Sequence, residues 1–110
     1  MSPAAPVSSA REEARQVVPK LIDLTEKVLF GDVWERPGLS KRDRSLITVA
    51  TLIATYRPEQ LKGHTERALA NGVTRDEISE IITHLAFYAG WPSAMSAARV
   101  VKQVFEEKKT

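Results

Sequence analysis

Three features of the 110-residue sequence predict an all-α fold, a single helical domain of five or six helices. Apolar residues recur three and four apart. Helix-start signals of the form Ser/Thr-x-x-acid occur three times, at Ser9, Ser40 and Thr74. No segment alternates apolar and polar residues with the period of a strand. A composition of 43% hydrophobic and 27% charged residues fits one compact domain. Residues 1–8, rich in Pro, Ala and Ser, read as a flexible lead, and residues 9–110 as the folded domain.

The first helix is expected to begin at Ser9, where Ser9-x-x-Glu12 has capping-box spacing. Pro19 should kink or restart it, because proline lacks the amide that an interior helical residue donates. Leu21, Leu24 and Val28 then recur at helical spacing up to Gly31. The stretch GDVWERPGL, residues 31–39, reads as loop, since Pro-Gly marks a turn and nothing in it is periodic. Ser40-x-x-Asp43 opens the next helix, with its apolar face at Leu46, Val49, Ala50 and Ile53. Arg57-Pro58 closes it, and Pro58 suits the first position of the helix that follows. That helix carries Leu61, Ala68 and Leu69 and stops at Asn71-Gly72. Thr74-x-x-Glu77 opens a strongly periodic helix through Ile78, Ile81, Ile82, Leu85 and Tyr88, ended by Gly90. Trp91-Pro92 opens the last one, with Met95, Ala98, Val101 and Phe105 as its apolar positions.

Composition removes several function classes. With no cysteine there is no disulfide, thiolate metal site, thiol nucleophile or CxxC redox pair. Sixteen basic against fourteen acidic residues leave a net charge of +2 and no concentrated basic stripe, so no nucleic-acid partner is expected. No apolar run is long enough to span a bilayer and no secretory signal opens the chain, so a soluble cytoplasmic protein without a membrane partner is the expectation. Two histidines on different helices, without HExxH or paired ExxH spacing, do not make a metal site. No GxSxG elbow and no glycine-rich phosphate loop are present.

The candidates for chemistry are then few. His64 lies three residues after Leu61 and four before Ala68, on or beside the inward stripe of its helix. It reads either as a hydrogen-bonded core histidine or as a general acid or base in a pocket between helices. His84 has the same spacing from Ile81 and Tyr88 and reads as structural or interfacial. In the loop, Trp34, Glu35 and Arg36 group an aromatic, an ion pair and a turn. Arg36 is either a solvated charge or a fork-shaped anchor for a carboxylate. Arg42 and Arg44 follow at the next helix start, and Arg44 is positioned to be partly covered. Tyr88 and Trp91 flank a helix break, as packed aromatics at a cap or as a pocket wall.

The segments GDVWERPGLSKRDRSLITVATLIA and EQLKGHTERALANGVTRDEISEIITHLAFYAGWPSA together resemble the carboxymuconolactone decarboxylase family, over roughly residues 29–98. The RPGL turn, the H-x(3)-A-x(2)-N-G-V-T segment and the Y-x-G-x-P segment keep their order and spacing. The resemblance implies an all-helical subunit of the alkylhydroperoxidase/carboxymuconolactone decarboxylase type, assembling as a homohexamer, a trimer of dimers. The alkylhydroperoxidase-like branch of that family uses CxxCxxxH with an upstream glutamate. If His64 matches its histidine, the cysteine positions hold Arg57 and Gln60 here and the glutamate falls near Ser45, which removes thiol peroxidase chemistry.

The decarboxylase branch implies a carboxy-lyase acting on an anionic lactone, 4-carboxymuconolactone or a relative, in the β-ketoadipate pathway of aromatic-compound catabolism. Such a substrate is its own electron sink, so no cofactor or metal is implied. On this resemblance His64 and Arg44 are the catalytic candidates, and Arg36, Trp34, Glu35, Tyr88 and Trp91 the substrate-binding ones. The lead before GDVW is short beside dedicated decarboxylases, and the THLAFYAGWP stretch is similar to the broader family. Another proton-transfer enzyme of the same fold, an isomerase or lactone hydrolase, and a non-catalytic hexameric binding protein therefore stay open as alternatives.

Overall fold

A computed structural model describes residues 9–107. The predicted lead and the side chain of Ser9, with its predicted cap, lie outside the described residues. The described residues are helical throughout, with short connections and no strand. The chain divides into two compact units, residues 1–39 and residues 40–110.

In the first unit, α1 (Ser9–Arg15) and α2 (Pro19–Leu24) are separated at Pro19, where a restart was expected. Helix α2 widens into a π-helical turn over Thr25–Phe30 instead of continuing as α-helix to Gly31. Glycine is required where that turn stops, because a Cβ on Gly31 would come 2.5 Å from the Lys27 carbonyl oxygen. Arg15 holds α1 to the π turn by donating to Glu26 at 2.6 Å. The predicted loop contains a 3-10 turn, Val33–Glu35, whose Trp34 is buried and stacks on Phe30 at 5.9 Å. The apolar stripe expected at Leu21, Leu24 and Val28 is exposed, and Ile22 is the buried residue of α2. Periodicity identifies apolar positions, but only a covering surface buries them.

The second unit is a bundle of four longer helices. Helix α3 (Lys41–Ala54) starts as expected: the Asp43 amide donates to Ser40 Oγ at 3.0 Å. It ends in a tight reversal in which Tyr56 takes φ +57°, a left-handed conformation costing a residue with a side chain about 1 kcal/mol or more. The Arg57 guanidinium donates to the carbonyls of Thr55 and Tyr56 across this turn. Helix α4 (Pro58–Ala70) follows with Pro58 in its first turn. Helix α5 (Arg75–Ala89) carries a complete capping box. Glu77 N–H donates to Thr74 Oγ1 at 3.1 Å, and the Glu77 carboxylate accepts from Thr74 N–H at 2.9 Å. Gly90, at φ +106° and ψ +147°, occupies backbone space that disfavours any side chain, and α6 (Trp91–Glu107) begins immediately after it.

The core joins all four helices through Val49, Ile53, Leu61, Ala68, Val73, Ile78, Ala97 and Val101. On α6 the buried register is Ala94, Ala97, Val101 and Val104, whereas Met95 and Ala98, expected inward, point to solvent. Two polar links set the helix ends. Asn71 Nδ2 at the close of α4 donates to the buried Ser45 Oγ of α3 at 3.0 Å. Arg42 at the start of α3 is hydrogen-bonded to the Glu77 carboxylate at the start of α5. That bond and the amide of Thr74, the larger effect, hold the Glu77 carboxyl below its usual range.

Candidate functional site

Helix α4 presents Leu61, Thr65 and Ala68 as its buried stripe, at spacings of four and three. His64 sits on the edge of that stripe, half-buried, with its Nδ1 atom out of reach of solvent. Removing an imidazole from water disfavours its cation, and burial is the first reason the His64 pKa lies below the ordinary 6.5. The second is the positive charge of Arg67, one turn further along α4 and also half-buried. At neutral pH His64 is therefore an uncharged ring, able to donate through one nitrogen and accept through the other. Beside it Thr65 is fully buried, and its hydroxyl makes no hydrogen bond among the described residues.

The other expected residues fall into separate places. Arg44 is half-buried in the first turns of α3 with its Nε atom covered, as its spacing suggested. In the first unit, Trp34 is a packed side chain, while Glu35 and Arg36 are exposed. Tyr88 and Trp91 both lie exposed at the α5–α6 junction of the second unit, in different ring pairs. There Tyr88 stacks on His84 at 4.7 Å, and Phe87 meets Trp91 edge-on at 5.5 Å. Surface hollows among the described residues include the following two. One of about 530 Å³ lies between α5 and α6 and is lined by Arg75, Ile82, Val101 and Phe105 among others. One of about 470 Å³ is lined by Lys62, Gln103, Glu106 and Glu107. His64 lines neither of them. Among the described residues no cluster of three His, Asp or Glu forms that could hold a metal ion, and no helix is long and apolar enough to cross a membrane.

Arg67 is the residue that sequence reasoning missed. Its signal was present: it stands three positions after His64, the helical spacing at which two side chains share a face. Arg57 and Gln60, set against the peroxidase thiols if His64 matches that branch's histidine, are exposed, and Ser45, near the place of its glutamate, is buried and accepts from Asn71.

The profile of the carboxymuconolactone decarboxylase family matches residues 19–103. The chain belongs to this family. Among similar proteins is a 4-carboxymuconolactone decarboxylase of Acinetobacter baylyi, 42% identical over 78 residues, which cover 71% of this chain and 58% of that protein. A nitrosuccinic acid decarboxylase of Metarhizium robertsii is 38% identical over 85 residues, 77% of this chain and 59% of its own. An uncharacterized 15.0 kDa protein of Paracoccus denitrificans, from the nqo9–nqo10 intergenic region, is 31% identical over 81 residues, 72% and 60% of the two chains. The chain thus matches about three fifths of the length of each of these relatives. The all-helical architecture agrees with the fold that this family membership implies.

Proposed function

We propose that the protein is a cofactor-independent carboxy-lyase acting on 4-carboxymuconolactone or a related acid whose leaving carboxylate adjoins an electron-accepting group. The geometry that carries this reading is the half-buried His64, its pKa lowered by burial and by Arg67 one turn away, at the position that resemblance assigns to the family histidine. Two of the similar proteins are named as decarboxylases, of a carboxylated lactone and of nitrosuccinic acid. Those two acids share a chemical plan. Each carries one carboxylate beside a group that can take up negative charge on oxygen, and a second carboxylate on a methylene arm.

The reaction asks three things of a protein. It must hold the carboxylate arm, stabilise the oxygen that gains charge as the carbon–carbon bond to carbon dioxide breaks, and return a proton to carbon. The electron pair of the broken bond moves into the substrate's own carbonyl or nitro group, so the chain need supply only donors and a proton. Donors placed at a developing oxyanion are usually the largest single contribution. Arg67 and Arg44 are guanidinium candidates for the arm, and a planar fork suits a carboxylate. The neutral His64 becomes a better proton carrier when a dianion binds. Nearby negative charge raises an imidazole pKa, and a carboxylate on Arg67 offsets the charge that lowers it. Substrate binding thereby charges the acid it needs.

The test is release of carbon dioxide from 4-carboxymuconolactone and from nitrosuccinate by the purified protein. Turnover of either supports the reading. Turnover of neither, with the protein folded, overturns it. Arg67→Lys, Arg44→Lys and Arg36→Lys are expected to raise KM more than they lower kcat if the replaced guanidinium holds the arm.

A further inference from the structure

Helices α5 and α6 leave between them the hollow of about 530 Å³, a volume in the range of small-molecule sites. Two stripes at helical spacing form its walls. Arg75, Ser79 and Ile82 stand four and three apart on α5, and Ala98, Val101 and Phe105 three and four apart on α6. The helices run antiparallel: Arg75, in the first turn of α5, donates through Nη2 to the carbonyl oxygen of Phe105, near the end of α6, at 3.4 Å. The two ends of the hollow therefore differ in chemistry. Arg75, Lys102 and Glu106 bring charge to one end, and Ile82 and Ala98 line the other, with the buried Val101 between.

The charges at the first end do not balance. Lys102 and Glu106 pair at 3.0 Å, one turn apart on α6 and both exposed. Such a pair contributes little and yields readily to a competing carboxylate. Arg75 has no acidic partner among the described residues. Its guanidinium lies over the Phe105 ring, 4.8 Å from the centroid, which holds the fork in place. A guanidinium has five N–H donors, and beyond the bond to the Phe105 carbonyl the others remain for an anion.

A ligand that suits both ends is an acid with an apolar body. From Ala98 to Phe105 the α6 wall advances seven positions, about 10 Å at about 1.5 Å per residue. A short fatty acid or an aryl-alkyl acid spans that length. A dicarboxylate fits less well, since its second carboxylate would lie beside Ile82 and Ala98 with no cation to meet it.

We propose that the α5–α6 hollow binds an organic monocarboxylate with an apolar body about 10 Å long, its carboxylate on Arg75 and Lys102. His64 does not line this hollow, so the proposal does not depend on the reaction proposed above.

The test is a titration of the full-length protein with 4-phenylbutyrate, followed through the backbone amide NMR signals of residues 75–83 and 98–106. Saturable shifts in those signals are expected, with a Kd on the order of 1 mM or below. Arg75→Gln, at an exposed position, is expected to weaken binding about tenfold, and the uncharged 4-phenylbutanol to bind about tenfold more weakly to the wild type. Ala98→Phe, also at an exposed position, should fill the apolar end and abolish the shifts, whereas His64→Gln should leave the Kd unchanged. No saturable shift in these segments up to about 10 mM would overturn the proposal. So would equal affinity for the acid and the alcohol, an unchanged Kd in Arg75→Gln, or loss of binding in a folded His64→Gln.

Discussion

Two histidines with the same local spacing end in opposite surroundings. His64 stands three residues after Leu61 and four before Ala68, and His84 three after Ile81 and four before Tyr88. Yet His64 lies half-covered on a helix packed against α3 and α6, with an arginine near enough to influence its proton. His84 lies exposed in the second half of α5, stacked on an exposed tyrosine. Position on a helical stripe does not decide what an imidazole does. The decision comes from what covers the stripe, and α4 is covered within the unit while the end of α5 is not. The first setting lowers the pKa of its imidazole, and the second leaves the ring stacked on Tyr88 at the surface.

Substitutions in the two regions should separate accordingly. His64→Gln is expected to have the largest effect on activity, a loss of about 10²–10⁴-fold in carbon dioxide release with helicity unchanged. Steady-state assay beside circular dichroism checks it, and retention of wild-type turnover would remove His64 from the chemistry.

Stability should show the same contrast from the other side. Leu61→Ala, on the covered stripe of α4, is expected to cost about 2–5 kcal/mol by denaturant titration. Tyr88→Ala, at the exposed junction, should cost the isolated subunit about 0.5 kcal/mol or less. Equal losses would mean that the two regions are not differently packed. Gly90→Ala tests the geometry of the junction. At φ +106° it is expected to destabilise the subunit by about 1–3 kcal/mol and to loosen the contact of Phe87 with Trp91, readable in tryptophan fluorescence.

Much of this was legible in the sequence because it is local chemistry. The caps at Ser40 and Thr74, the restart at Pro19, the start at Pro58 and the break at Gly90 each follow from what one residue can donate, accept or adopt. The family resemblance rests on the same local segments. What escaped depends on contacts distant in sequence or on surfaces that do not form. The Asn71–Ser45 bond spans 26 positions and the Arg42–Glu77 bond 35. Met95, Leu21, Leu24 and Val28 carry the right period and lack a covering partner in the subunit. The left-handed Tyr56 had no signal, since glycine or asparagine usually marks such a turn. Arg67 was readable at the i+3 position from His64.

A smaller effect follows from the depressed His64 pKa. The unfolded chain binds a proton near pH 6.5 and the folded chain at a lower pH, so between those values the unfolded state holds more protons. Stability is therefore expected to fall as the pH drops below about 6.5 and to level off below the folded-state pKa. His64→Gln should reduce this slope, as measured by thermal melts across the range, and an unchanged slope would assign it to other groups.

The most direct test of the His64 site is the NMR titration of its imidazole in the free protein and with a non-reacting dicarboxylate such as succinate. The expected result is a midpoint below the ordinary histidine value that rises when the dicarboxylate binds and rises in the free protein on Arg67→Gln. A midpoint at the ordinary value, indifferent to both the anion and Arg67, would contradict the account.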